Sequence, residues 1–287
     1  MNDRRIGLAL LAVLIVLDVV LIGLAIRPGP APAAGLPKPL LDAEPTTSTP
    51  AFTPVPARLV TFRSGGGAFA TTPGACNGPV AQALDLPAGG GAVPAASPGA
   101  VVGRLSTNPD GSISAVAGEP NCSGAQQYSQ AQPGPWTASG GSEGLYFVFP
   151  GATDIATPSG AQPVPCSVVS LASTAARATV LCADGQLKSN SGGNEWAVVG
   201  SLPAGVALAP GPESTLYGLQ AVDGCDGLRF GTSTDEGRNW TATGCVQNAT
   251  ASGPVGVSAL FDSVVVVDGQ GSVFRSADRG ASFTKGG

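Results

Sequence analysis

Three hydrophobic patterns follow one another along this 287-residue chain. From Ile6 to Ile26, 21 residues are interrupted by a single charge, Asp18. As a helix that run spans about 31 Å, enough to cross a hydrocarbon core. Residues 28–57 carry nine prolines and hold neither a two-residue nor a 3.6-residue period. After residue 57 the pattern breaks into short runs: "GLRFGT" (227–232), "GSVFR" (271–275), "GQLK" (185–188), "VGVSALF" (255–261) and "SVVVVDG" (263–269). These are rich in β-branched residues and bounded by Gly, Pro or Asp, as strands are. No stretch beyond residue 57 sustains a helical period.

The patterns divide the chain into a membrane anchor (1–27), a Pro/Ala/Thr-rich linker (28–57) and a globular all-β region (58–287). Arg4 and Arg5 precede the apolar run, which favours a cytoplasmic N-terminus and an extracytoplasmic remainder. The expectation is a single-pass protein of the cell membrane, in contact with lipid through residues 6–26. A cleaved signal peptide is the alternative, with "APAA" at 31–34 as a cleavage site, although signal h-regions run to only about 7–15 residues. No cysteine precedes Cys76, so a lipoprotein anchor is excluded. Asp18 reads as a tolerated acid at ~2.5–3.5 kcal/mol, or as a polar contact with another membrane helix. The linker reads as a stiff polyproline spacer reaching up to about 90 Å at ~3.1 Å per residue.

An octet recurs within the globular region. "STDEGRNW" (Ser233–Trp240) and "SADRGASF" (Ser276–Phe283) place Ser, Asp, Gly and an aromatic at the same offsets. They are Ser233, Asp235, Gly237 and Trp240 in the first, and Ser276, Asp278, Gly280 and Phe283 in the second. "SNSGGNEW" keeps Ser189, Gly193 and Trp196 but has Ser191 in the acidic place. "SQAQPGPW" keeps only Ser129 and Trp136. The starts lie 60, 44 and 43 residues apart, and 40–45 residues is the length of one four-stranded propeller blade. Each member has a structural use in a hairpin turn. Gly tolerates positive φ, Asp accepts from exposed backbone N–H groups, and the aromatic buries area against a sheet. A catalytic group would normally occur once.

The frame S-x-D-x-G-x-x-W resembles the Asp-box (BNR) repeat, found in sialidases and in propellers like the photosystem II assembly and stability factor. The resemblance covers roughly residues 120–287. It implies turns between the third and fourth strands of a blade, on the rim away from the usual binding face. Sialidase activity in that family rests on three arginines, a Tyr/Glu pair and an acid Asp. Here Phe62–Arg63 is followed by "SGGG" rather than "IP". Glu195 and Glu236, with Arg238 and Arg279, fall inside the octets.

Six cysteines, all beyond the anchor, suit an oxidising compartment. Cys225 and Cys245 are equidistant from Asp235, and Cys166 and Cys182 from position 174, so each pair faces across a hairpin within disulfide reach. Cys76 and Cys122 pair by elimination; free buried thiols are the alternative for all six. "C-x-G" at 76–78, 122–124 and 225–227, with "DG" at 184–185 and 268–269, mark the openings of five third strands. The expectation is a propeller of about five blades, with the 60-residue interval holding an insertion or a sixth blade. The last blade is expected to lack its fourth strand, which "ARLVTFR" (57–63) would supply to close the ring.

The globular region holds ten Lys/Arg against fifteen Asp/Glu, with no basic run, which argues against nucleic acid. The absence of histidine removes Ser-His-Asp and Cys-His chemistry and most zinc sites. Asp223, Asp226 and Asp235 read as turn residues rather than a Ca²⁺ site, and no cofactor or metal is expected. The reading is a membrane-tethered binding or scaffold module for a protein or cell-envelope partner, without catalytic residues. An envelope glycan-binding protein or a sialidase-type glycoside hydrolase is the alternative.

Overall fold

The computed structural model describes residues 55–286 except 193, 194 and 213. These lie in one compact unit, Pro50–Gly287; the other, Met1–Thr49, falls outside the described residues, as do the expected anchor and nearly all of the linker. No helix among the described residues is long and apolar enough to cross a membrane.

The architecture is a five-bladed β-propeller, each blade a four-stranded antiparallel meander. The first blade is β1 (Leu59–Phe62), β2 (Ala68–Thr71), β3 (Ala83–Leu86) and β4 (Val93–Ala95). The second is β5 (Val101–Thr107), β6 (Ile113–Gly118), β7 (Gln126–Gln130) and β8 (Thr137–Gly141). A two-stranded hairpin follows, β9 (Asp154–Thr157) and β10 (Gly160–Pro163). The third blade is β11 (Val168–Ser173), β12 (Ala178–Cys182), β13 (Gln186–Asn190) and β14 (Ala197–Ser201). The fourth is β15 (Gly205–Pro210), β16 (Leu216–Gln220), β17 (Gly227–Ser233) and β18 (Thr241–Gln247). The fifth is β19 (Gly256–Leu260), β20 (Ser263–Val267), β21 (Val273–Ser276) and β22 (Thr284–Lys285).

Position within a blade sets the hydrophobic pattern. Second strands have sheet on both sides and neighbouring blades above and below, so they read as continuous apolar runs. AFAT of β2 is wholly buried, as are ATVLC of β12 and VVVV of β20. Fourth strands form the outer edge and are the less buried: TASGG of β8 is exposed at every residue. The core is therefore several clusters between blades. One joins Leu219, Leu228 and Phe230 of the fourth blade to Val257, Val264 and Phe274 of the fifth.

The sequence segment 57–63 does not complete the last blade. Leu59–Phe62 is the first strand of its own sheet, and the fifth blade has a two-residue fourth strand, with Arg275 opposite Thr284 and Phe274 opposite Lys285. The ring closes by packing instead. Phe62, Ala70 and Leu86 of the first blade bury against Val265, Val267 and Val273 of the fifth. Arg275 adds hydrogen bonds to the Leu86 and Pro87 carbonyls at 2.9 and 2.8 Å. The physical reason is burial: an apolar LVTF gains more at the centre of the ring than on an outer edge.

The long interval holds no complete blade. Phe147 bridges to Ala156 of β9, and Val148 N–H donates to the Gly103 carbonyl of β5 at 3.4 Å. The β9–β10 hairpin stands beside the third blade, where Trp196 packs against a cluster of Ile155, Val180 and Cys182.

Candidate binding site

Because each blade begins at the centre and runs outward antiparallel, its loops sort onto two faces. The second-to-third loops and the incoming connectors share the upper face. The first-to-second and third-to-fourth turns share the lower face.

All four octets lie at third-to-fourth turns. In the fourth blade, Ser233 Oγ donates to Asp235 Oδ1 at 2.8 Å and accepts from Gly237 N–H at 2.8 Å. Asp235 Oδ1 also accepts from Asn239 N–H at 2.9 Å. The fifth blade repeats this: Ser276 to Asp278 at 2.7 Å, Gly280 N–H to Ser276 at 2.8 Å, and Ser282 N–H to Asp278 at 3.0 Å. Hydrogen bonds from the Asn239 backbone and side chain, then from Ser233, hold the Asp235 carboxyl down at about 2. Bonds from the Ser282 and Ser276 side chains and then the Ser282 backbone hold Asp278 at about 2. Asn239 and Ser282, which complete each clamp, share an octet position that the Ser-Asp-Gly-aromatic frame left open.

The aromatics pack between their own sheet and the preceding unit. Trp240 packs with Leu187 and Leu202 of the third blade. Phe283 meets Phe230 edge-on at 5.6 Å, and Trp136 meets Phe69 edge-on at 5.3 Å. The octet glycines press on the preceding blade. A Cβ on Gly237 (φ +92) would lie 2.3 Å from Leu187 Cδ1, and one on Gly280 (φ +86) 2.2 Å from the Phe230 ring.

In the second and third blades the register places a different residue at the turn. Ser189 pairs with Ala197, the residue after Trp196, whereas it is Thr232 that pairs with Thr241, the residue after Trp240. Asn190, not Ser189, therefore sits where Ser233 sits, and Gln130 does so in the second blade. Asn190 Nδ2 donates to the Glu195 carbonyl at 3.0 Å, and the Gln130 amide donates to the Gly134 carbonyl. Ser189 Oγ turns inward to the Ala178 carbonyl at 3.1 Å. Gly193 lies outside the described residues.

The three disulfides join the expected pairs, Cys76–Cys122, Cys166–Cys182 and Cys225–Cys245, and all three brace the upper face. The first staples the second-to-third loops of two neighbouring blades. The two hairpin pairs are not directly opposed: Cys182 pairs in register with Val168, and Cys245 with Arg229. Cys166 and Cys225 reach across from the loops just before β11 and β17. Each hairpin turns about a point later in the chain than the midpoint of its two cysteines, which sets the pair off from direct opposition.

Two recesses lie at the centre. The channel, about 360 Å³, is walled by the first strands of all five blades. Among the described residues, the only charged ones that line it are Arg58 and Arg104. Burial pushes both guanidinium pKa values down; for Arg58, Asp268 works in the opposite direction. Arg104 follows a bulge at Gly103 and donates to the Tyr146 carbonyl at 3.3 Å. Beside the channel lies an apolar pocket of about 230 Å³, bounded by Pro56, Pro73, Val102, Phe149, Val164 and Val168.

The other sequence candidates scatter. Arg63 is buried, binds Asp85 and Gln130 at 2.7 Å each, and ties the first blade to the second. Arg177 pairs with Glu236 on the lower face. Tyr146 is buried on Asn190, and Tyr217 stacks on Phe230. No tyrosine or carboxylate is among the channel's described lining residues. Asp223 and Asp226 belong to an upper loop and Asp235 to a lower turn, and no acidic or cysteine cluster among the described residues could hold a metal ion. Sequence reasoning missed Arg58 and Arg104, since nothing local marks two arginines 46 positions apart as neighbours of one channel.

No protein-family model and no curated protein matches the chain. Among solved structures, the fold is similar to YCF48 bound to D1 peptide, at 13% identity over 81% of each chain with a TM-score of 0.41. It is similar to the Aleuria aurantia lectin in complex with a fucosylated sugar, at 14% identity over 80% of this chain and 95% of that one, TM-score 0.44. It is also similar to the periplasmic gluconolactonase of Pseudomonas aeruginosa, at 13% identity over 80% of this chain and 83% of that one, TM-score 0.41. The likeness concerns the β-propeller fold alone.

Proposed function

We propose that the chain is a membrane-tethered, extracytoplasmic binding module of the Asp-box type, presenting a protein or cell-envelope partner with the upper face and central channel of its propeller. The tether rests on the apolar run Ile6–Ile26 and its preceding arginines, and the compartment on the three disulfides. The octet turns serve the scaffold: they clip each blade to the one before it, on the face opposite the disulfide-braced loops.

The observation that carries this reading is the channel. It draws on every blade and holds two partly buried guanidiniums with no carboxylate among its described lining residues. Partly buried cations with no carboxylate in the same channel lining favour an anionic or hydrogen-bonding partner. The test is crosslinked capture from native membranes with the full chain as bait. Ser258 lines the channel, and Ser258→Trp is expected to abolish the captured species, while Asp278→Asn on the lower face retains it. Capture indifferent to Ser258→Trp, or robust turnover of a sialoside, would overturn the reading.

A further inference from the structure

We propose that the channel and the apolar pocket beside it form one site for a small amphipathic anion: a short acyl or aryl chain ending in a carboxylate or phosphate. The inference rests on the reading of the channel as the binding site and names the class of ligand it takes.

The two recesses are adjacent. Leu59, Gly103, Ser170 and Leu171 line both. Among the described residues, the pocket has no charged lining residue, whereas the channel has two, both cationic. Arg58 and Arg104 line the channel next in sequence to the shared residues Leu59 and Gly103; Arg58 Nε donates to the Pro254 carbonyl at 3.4 Å and Arg104 to the Tyr146 carbonyl at 3.3 Å. A ligand with its tail against Val102, Phe149 and Val164 directs its head into the channel, whose charged lining residues among those described are these two arginines.

Gly103 makes the junction possible. A Cβ there would lie 3.1 Å from both the Phe149 ring and the Val148 carbonyl, so the glycine admits these two residues of the pocket wall. The bulge at Gly103 offsets the register by one residue just before Arg104.

The electrostatics favour an anion. The Arg104 side chain is bonded to a neutral carbonyl, and its burial removes the water that would otherwise solvate it. Asp268, the acid acting on Arg58, is itself occupied by the N–H groups of Thr250, Gln270 and Ser272. A carboxylate or phosphate arriving there gains charge-assisted hydrogen bonds in a partly desolvated setting. The cavities are about 230 and 360 Å³, the scale of a small-molecule site.

The experiment is calorimetric titration of octanoate and octyl phosphate into the full chain held in amphipol. Octanol serves as the uncharged comparator, and acetate and inorganic phosphate as the tailless ones. Both octyl anions are expected to bind at least about tenfold more tightly than any comparator, and their ratio identifies the preferred head. Arg104→Met and Val164→Trp should each weaken binding about tenfold or more without moving the unfolding temperature. Both variants keep residues 6–26, so uptake by that apolar run cancels in the difference. Equal binding of octanol and octanoate, tailless anions binding as well as octyl ones, or an unchanged affinity in Arg104→Met would each overturn the inference. If neither octyl anion binds while Ser258→Trp still abolishes partner capture, the ligand class falls and the binding-module reading stands. Capture insensitive to Ser258→Trp removes both.

Discussion

The third-to-fourth turns of the fourth and fifth blades do the same work as those of the second and third, by different chemistry. In the former, a serine and an aspartate gather the turn's N–H groups, and a glycine in the left-handed region lies flat against the preceding blade. In the latter, a buried amide, Asn190 or Gln130, spans the turn to a carbonyl. All four turns keep the aromatic just before the fourth strand. The constant element is the apolar grip between units; the polar clamp is interchangeable. Burial of a large ring contributes more than any single turn hydrogen bond, so the ring is the harder member to replace.

The largest expected effect is at the glycines. Gly237→Ala or Gly280→Ala combines positive φ with a Cβ inside van der Waals contact of Leu187 or Phe230, and should destabilise by about 3 kcal/mol in urea unfolding. Gly192→Ala in the third blade has positive φ and open space around it, so it should cost only about 1 kcal/mol. Equal losses at the two kinds of site would erase the distinction between clamped and unclamped turns.

Asn190→Ala comes next. It removes the bond to the Glu195 carbonyl and the acceptor 3.1 Å from the Tyr146 hydroxyl, for a loss of about 2 kcal/mol by thermal unfolding. A loss confined to a few tenths would mean that the amide does not stand in for Ser233.

Acid should separate the blades more gently. Asp235 and Asp278 are held at about 2, below the 3.8 of a free aspartate. A depressed carboxylate contributes stability that is complete above its unfolded value and lost as pH falls through its folded one. Stability should therefore decline between roughly pH 4 and 2 through these two turns. The double variant Asp235→Asn, Asp278→Asn should show a shallower slope across that window in pH-dependent unfolding. An unchanged slope would place the acid sensitivity elsewhere.

The smallest effect is the sharpest test of register. Ser191→Asp restores the octet as spelled in sequence, yet Asn190 occupies the Ser233 place and the turn is one residue shorter. No clamp should form, and stability should change by no more than about 0.5 kcal/mol. A gain of a full kcal/mol would show the turn able to adopt the other frame.

These comparisons separate two kinds of information. Turn chemistry is local: Ser, Asp and Gly lie within five residues and bond one another, so Ser233–Gly237 and Ser276–Gly280 are legible as hairpin corners. The five openings of third strands are legible for the same reason. The degraded octets misled because spacing alone cannot show which strand residue faces which. A one-residue shift in pairing moved Asn190 into a place that letters assigned to Ser189.

By itself, the amino-acid sequence determined the all-β character, a propeller of about five blades, the position of the octet turns and the two hairpin disulfides. Each of these is written in short-range periodicity or in near-symmetric spacing about a turn, whereas Cys76–Cys122 joins loops of two blades and followed only by elimination. Tertiary structure alone decided that residues 59–62 open the ring rather than close it, and that the aromatics pack between one unit and the next. It alone placed Arg58 and Arg104 around one channel. Those relations join segments tens of residues apart, and they are set by which faces bury together, a long-range competition that no local pattern encodes.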